Sequence, residues 1–411
     1  MHIIVLEPYP SSRRGGQELV LLDICRGLAK RGHKIALLYT KEENLLEQYR
    51  EFCYCVIKVS QFINSQPQHI LSFLADIWKV TRKIPKTENS IVLCNQATDT
   101  PFASALALSK NIPLVCYLHY PPVAPPSSAW MGNKGIKRWK YFLLGTIHKY
   151  QWSFAIKKVK HFITVSNQTK LDWVNSGYQE EMEEKIDVVY NGIDLETYKN
   201  TTNFSSLRNL WNLSEDVKTI LYVGRIDKEK GLEILLKAFA LLRETNANTQ
   251  LLIAGKPLIQ GEEYKQSLEK LVIELGIENH VKFLGYVKDT TSLYQISNIT
   301  VLPSIWPEPF GRTIVESMAS GTPVVASRIG GIAEILTGEF QIGLFDPGNE
   351  QDLSVTLNCL LNWKDRDPNL AQRCRQHIVS QFSMDTMVDA IEKVMKHRLI
   401  QTSSQQLAVS K

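Results

Sequence analysis

The feature that most constrains this chain is an alternation that runs along it and then starts again. HIIVL (2–6), KIALLYT (34–40), YCVIKV (54–59), IVLCN (91–95), LVCYLH (114–119), HFITVS (161–166) and IDVVYN (186–191) are short apolar runs rich in β-branched residues. Stretches such as QELVLLDICRGLAKRG (17–32), with helical apolar spacing and a closing glycine, separate most of them. Strands that are apolar throughout and alternate with helices predict a parallel sheet covered on both faces. A second series follows: strands TILYVG (219–224), QLLIAG (250–255), HVKFLG (280–285), ITVLPS (299–304) and PVVAS (323–327), with helices at 231–244 and 264–276. Between the two series lies NGIDLETYKNTTNFSS (191–206), polar and with little periodicity. The reading is α/β, with two doubly wound domains, 1–195 and 196–383. Ligands of such sheets bind beyond the carboxyl ends of the strands, and two such domains face to face make a cleft. The amphipathic stretch 384–400 predicts a last helix, and TSSQQLAVSK (402–411) reads as a disordered tail.

Composition narrows the class. A chain of 411 residues that is 44% hydrophobic can bury two cores. It has no run of eighteen apolar residues, so no spanning helix is expected. The start, MHIIVLEPYP, lacks the basic and long apolar regions of a secretory signal. Seven scattered cysteines predict reduced, buried thiols and a cytoplasmic protein. The net charge of +5 is uneven: residues 1–195 hold 24 Lys and Arg against 17 Asp and Glu, and no acidic residue occurs between Asp99 and Asp172. Such a basic face suits a polyanion or an anionic membrane. No recognition motif for nucleic acid accompanies it, so no nucleic-acid partner is expected.

Three motifs sit where a ligand would be held. Gly15-Gly16 lie between the first strand and a helix, where the backbone approaches a ligand closely and a helix N-terminus offers N–H groups. An ordinary strand-to-helix turn reads the same way. In YVGRIDKEKG (222–231), Arg225 and Lys230 follow a strand; a planar fork and a point charge both suit a diphosphate. A solvated basic loop is the plainer alternative. In EPFGRTIVE, Glu308 precedes Pro309 and so stands outside the helix that Phe310-Gly311 opens. The N–H groups of Gly311, Arg312 and Thr313 would be first-turn donors, suited to phosphate oxygens. Glu316, eight residues after Glu308, is placed to accept two hydrogen bonds from a ribose diol. A dipole-favouring carboxylate plus a solvated one is the simpler alternative for the pair.

Taken together these pieces resemble the family-4 retaining glycosyltransferases, whose fold is GT-B: two Rossmann-like domains facing across a cleft. EPFGRTIVE matches the family's E-x-F-G-x-x-x-x-E signature. GGQELVLLDICRGLAKRGHKI, VVYNGID, VGRIDKEKGLEILLKAF and ASGTPVVASRIGGIAEIL look like its glycine loop, interdomain stretch, phosphate-binding segment and post-signature segment. The resemblance covers nearly the whole chain and is most specific over 219–348. It implies that Arg225 and Lys230 neutralise a nucleotide diphosphate, that Glu316 holds the ribose and that Glu308 contacts the donor sugar. It implies that Phe310 to Thr313 complete the phosphate cradle and that Gly15 and Gly16 close on it from the other domain. Gly285 and Tyr286 would lie near the base, and His119 near donor and acceptor; a histidine satisfied within a loop stands beside that role. The helix 384–400 would pack back on the N-terminal domain.

The implied activity is retaining transfer of a hexosyl group from a UDP- or GDP-linked sugar to a hydroxyl of a glycan or lipid-linked acceptor. Catalysis would rest on Glu308, His119, Lys230 and Arg225, with no cofactor. The alternatives are a sugar-nucleotide-binding scaffold subunit and another GT-B activity such as an epimerase. Position 312 is often apolar in the family; here Arg312 adds a phosphate or acceptor contact or is solvated. Asp365-Arg366-Asp367 spells a metal–nucleotide motif of a different transferase fold but lies in a polar turn, so it reads as surface and no metal is expected. The basic, aromatic segment 133–160 suits an anionic membrane surface, or equally a helix that packs its aromatics inward.

Overall fold

In this computed structural model the described residues are 1–12, 15–62, 69–122, 154–177, 182–199, 208–209, 211, 213–214, 216–257 and 261–409, with side chains considered to residue 401. The chain divides into two compact units, Met1–Gly192 with Met384–Lys411, and Ile193–Ser383. Within the first, β1 (His2–Leu6), β2 (Lys34–Tyr39), β3 (Cys55–Lys58), β4 (Ser90–Cys94), β5 (Leu114–Leu118), β6 (His161–Thr164) and β7 (Ile186–Val188) form one sheet. Its order is β3-β2-β1-β4-β5-β6-β7, and every pairing is parallel. Strands β4 and β5 are buried at every position, as a sheet covered on both faces requires. Helices α1 (Gly16–Lys30), α2 (Ile70–Lys83), α3 (Thr100–Lys110) and α4 (Asn167–Asn175) belong to this unit.

The last helix of the chain, α5 in this unit (Met384–Val409), belongs to it too. Met387, Val388, Ile391, Met395 and Leu399 are buried along it. Arg31 at the end of α1 reaches Asp389 at 2.6 Å and Glu392 at 3.2 Å, and His33 Nε2 lies 2.7 Å from Glu392. A Cβ at Gly27 would come within 2.7 Å of Val388 Cγ2, so the glycine lets the two helices approach. The expectation of disorder over 402–411 is corrected by the backbone, which stays helical to Val409. Gln405, Gln406, Leu407 and Ala408 are good helix formers, and extending an existing helix is far easier than nucleating one.

The second unit repeats the plan. β8 (Lys218–Val223), β9 (Thr249–Ala254), β10 (Val281–Gly285), β11 (Ile299–Leu302), β12 (Val324–Ser327) and β13 (Leu344–Phe345) are ordered β10-β9-β8-β11-β12-β13, all parallel. Helices α6 (Leu232–Thr245), α7 (Thr291–Ile296), α8 (Arg312–Ala319) and α9 (Leu370–Gln381) flank it. In each sheet the strand order reverses once, beside β1 in the first and beside β8 in the second. The carboxyl end of a strand at such a switch is where an open α/β sheet leaves a crevice. All seven cysteines are free thiols; Cys359, expected to be buried, is exposed because it lies on the outer side of its helix. Among the described residues no helix is long and apolar enough to cross a membrane.

Candidate active site

The switch point of the second unit gathers most of the residues singled out in the sequence. After β8 the chain runs through Gly224 and Arg225 to Lys230, and Gly231 then turns it into α6 with φ of 67°. A Cβ at Gly231 would stand 2.0 Å from the Pro303 carbonyl oxygen, so only glycine lets this turn lie against the end of β11. That approach puts Lys230 on Glu308 as an ion pair, with both side chains largely buried. Ser304 Oγ donates to the same Glu308 Oε1 at 2.6 Å. The backbone of Glu308 is pinned as well: Gly331 N–H donates to its carbonyl at 2.7 Å. Arg225 is more open, with Nη1 3.4 Å from Asp227 and its side chain 41% exposed. Its carbonyl accepts the Tyr222 hydroxyl at 2.5 Å, which fixes the loop.

Gly311, with φ of 112°, turns the chain into α8, whose first-turn N–H groups the helix itself cannot satisfy. Thr313 Oγ1 donates to the Val223 carbonyl at 3.3 Å and ties that helix start to the end of β8. Phe310 is buried edge-on against Phe382, with ring centroids 5.8 Å apart; its ring is core, so this position can offer a ligand only its backbone. One turn into α8, Glu316 Oε1 accepts from Arg312 Nε at 2.7 Å and Oε2 accepts the Tyr294 hydroxyl at 2.9 Å. The buried Tyr198 hydroxyl shares the carboxylate and the guanidinium; burial first, then the Glu316 charge, holds that phenol protonated far above its usual range. Gly285 ends β10 with φ of 69°, and beside it Tyr286 is exposed, its ring 5.4 Å from Lys256 Nζ.

In the first unit the residues at the switch point are polar and buried. Glu7 follows β1, Asn95 follows β4 and His119 follows β5. His119 Nε2 lies 2.8 Å from Asn95 Oδ1, Asn95 Nδ2 donates to Glu7 Oε2 at 2.7 Å, and the His119 ring packs 4.1 Å from that of Tyr117. Burial pushes His119 down to about 3, so its imidazole is neutral near pH 7. It pushes Glu7 up to about 8, with the nearby Glu18 carboxylate adding to the effect. Gly15, in extended conformation before α1, brings the backbone close to Tyr120 and Glu18: a Cβ there would lie 3.4 Å from the Tyr120 hydroxyl and 3.6 Å from Glu18 Oε2. Gly16 is the first residue of α1.

Two family models cover most of the chain: Glycosyltransferase Family 4 over residues 14–197 and Glycosyl transferases group 1 over 203–378. The chain belongs to the family-4 glycosyltransferases. Among similar proteins is the lipopolysaccharide 1,2-N-acetylglucosaminetransferase of Salmonella typhimurium, 31% identical over 52% of this chain and 56% of that protein. The D-inositol 3-phosphate glycosyltransferase of Mycolicibacterium smegmatis is 33% identical over 50% of this chain and 46% of that one. The chain thus matches about half the length of these relatives. The crystal structure of Anabaena HepE in complex with UDP-glucose superposes with a TM-score of 0.76 at 22% identity, over 97% of this chain and all of HepE. That likeness shows the fold, which is GT-B.

For this glycosyltransferase, several neighbours of the candidate site residues escaped sequence reasoning. Ser304, Tyr294 and Tyr198 hold the two signature glutamates, yet each lies in an ordinary strand end, helix or linker with nothing to mark it. Asn95 and Glu7 end apolar strands, which was the available signal: a polar residue directly after a buried strand stands at the sheet edge where ligands bind. Arg312 Nε pairs with Glu316, four residues on, and its guanidinium also meets the Tyr198 hydroxyl. Asp367 of the Asp365-Arg366-Asp367 run is taken by Arg373, with bonds of 2.5 and 3.1 Å that hold its carboxyl below the usual range. Most of the 133–160 segment lies outside the described residues; within 154–160, Phe154 is exposed and Lys158 sits 5.2 Å from its ring centroid.

Proposed function

We propose that this glycosyltransferase moves a hexosyl group, with retention of configuration, from a nucleoside-diphosphate sugar to a hydroxyl of a glycan or lipid-linked acceptor, with a UDP- or GDP-linked donor. The observation that carries the reading is the line of groups at one sheet edge: Glu308 bound to Lys230, the opening turn of α8, and Glu316 held by Arg312 and Tyr294. Their order suits the parts of one ligand, with Glu308 toward the sugar, the helix start and Lys230 on the diphosphate, and Glu316 on the ribose.

Breaking the sugar–phosphate bond builds positive charge at the anomeric carbon and negative charge on the departing diphosphate. Lys230, Arg225 and the α8 N-terminus stabilise that negative charge as it forms. The acceptor hydroxyl attacks from the face the leaving group vacates, and a leaving phosphate oxygen takes its proton, so the chain supplies no covalent nucleophile. The reaction is expected to need no metal: activity unchanged by a chelator supports this, and loss restored by a divalent cation overturns it. UDP-glucose, the ligand in the HepE crystal structure, is the first donor to test. The deciding experiment is a thermal-shift screen of UDP-, GDP- and ADP-sugars, followed by NMR of the product's anomeric configuration. A donor that stabilises the protein and yields a retained glycoside supports the reading; no shift with any of them, or an inverted product, overturns it.

A further inference from the structure

Helix α2 has two apolar faces, and the fold uses one of them. Phe73, Ile77 and Val80, with Ile84 just beyond the helix end, pack into the core of the first unit. On the other side Leu71, Leu74 and Trp78 stand in one stripe, 80%, 57% and 61% exposed. Ile70 beside them is exposed too. So is Leu108 of α3, next to Ser109, whose hydroxyl lies 3.2 Å from that of Thr81 on α2. A single exposed leucine is ordinary, but a row of large apolar side chains on a helix that already buries its opposite face marks an interaction surface. The helix is also held ready: Lys110 Nζ donates to the Thr81 and Ile84 carbonyls at 3.2 and 2.6 Å and so caps its C-terminal end from within the fold.

Charge says what kind of partner this face fits. Arg82 continues the stripe one turn beyond Trp78 and lays its guanidinium over the indole, 4.6 Å from the ring centroid. Lys83 and, past the helix, Lys86 are exposed as well. Between Lys58 and Thr87 the sequence holds one acidic residue, Asp76, and it turns inward: it is buried and accepts the Ser60 N–H at 2.6 Å. The outer face of α2 therefore carries apolar groups and cations and no carboxylate. A second copy of the same face would set cation against cation with nothing to pair them. A bilayer with anionic headgroups meets both demands. Leucine and tryptophan enter the boundary between headgroups and acyl chains, while arginine and lysine lay their stems on apolar surface and reach the lipid phosphates.

We propose that the outer face of α2, through Leu71, Leu74 and Trp78 with Arg82 and Lys83, docks this protein on an anionic lipid surface. The face is separate from the 133–160 segment, and its role holds whatever sugar or acceptor the active site takes. Co-sedimentation of the full chain with vesicles tests it, using phosphatidylcholine alone and phosphatidylcholine with phosphatidylglycerol in equal parts. The native protein should bind the mixed vesicles about tenfold or more tightly than the neutral ones, and added salt should weaken that binding. Arg82→Gln with Lys83→Gln should weaken it about thirtyfold, as the loss of two basic residues at an anionic surface predicts. Leu71→Ser with Leu74→Ser and Trp78→Ser should weaken it at least as much. All five side chains are exposed, so both variants should melt close to the native temperature. No preference of the native protein for mixed vesicles overturns the proposal, and so does unchanged binding by the triple variant, even if the charge variant binds less. A triple variant that melts far below the native protein means that the chain itself covers this face. A native dimer that the triple variant turns into monomer, with vesicle binding unchanged, makes the occupant a second copy. Either result also overturns the lipid assignment.

Discussion

At the scale of single residues, the site is a set of charges that satisfy one another. Removing Lys230 leaves Glu308 largely buried, with Ser304 the remaining side chain among the described residues to bond its carboxylate. We expect Lys230→Ala to lower kcat/KM by three orders of magnitude or more, about 4 kcal/mol of transition-state stabilisation. Steady-state kinetics checks it, and a loss under tenfold would remove Lys230 from the mechanism. Arg312→Met should weaken binding of a ribonucleoside diphosphate about tenfold, because Glu316 loses the bond that orients it, while a 2′-deoxy analogue should lose less; calorimetry on the two ligands separates these outcomes. Glu7 gives a prediction with a sign. Its folded value of about 8 lies above that of an unfolded carboxyl, so between roughly pH 4.5 and 8 the folded state binds the extra proton and stability falls as pH rises. Glu7→Gln removes that slope, so its melting temperature relative to the native protein should rise from pH 5 to pH 8. The contrast between Lys230 and Arg312 shows what a sequence reveals. Charge, spacing and position after a strand marked Lys230 as a candidate, whereas the pairing of Arg312 depends on which carboxylate its guanidinium meets.

At the scale of elements, the strands were legible and their last residues were not. The apolar runs ending in His119, Gly224 and Gly255 read as strands to those residues, but the ladders stop at Leu118, Val223 and Ala254. Apolar patterning reports burial, and a site residue at the sheet edge stays buried after it has left the ladder, as His119 does. The closing helix poses a different problem, since its amphipathic face gives its existence but not its partner. The partner is α1, and the contact turns on Gly27, where a side chain would meet Val388 at 2.7 Å. Gly27→Ala should therefore lower stability by about 1–3 kcal/mol, the usual cost of overpacking, and adding Val388→Ala should recover part of it. Urea denaturation of the single and double variants checks both statements. If Gly27→Ala is as stable as the native protein, the close approach of α1 and the last helix is wrong.

At the scale of the whole molecule, two units each with its own parallel sheet and core need not unfold as one. The restart of the strand series made this division readable from the sequence. The structure places the break at Gly192 and Ile193, inside the polar stretch that marks it, and returns the chain to the first unit at Met384. Apart from Gly15 and Gly16, the proposed nucleotide contacts lie in Ile193–Ser383, and the buried trio of Glu7, Asn95 and His119 lies in the other unit. A nucleoside diphosphate without its sugar should therefore stabilise the second unit chiefly, by about 2.7 kcal/mol at one hundred times its Kd. Hydrogen exchange followed by mass spectrometry locates the effect: protection should rise over β8, β11 and the start of α8 and change little along β1 and β4. In Lys230→Ala the same nucleotide concentration should give markedly less protection. Equal protection of both units by nucleotide alone would mean that binding draws on contacts in the first unit, and the assignment of the diphosphate to one sheet edge would have to be abandoned.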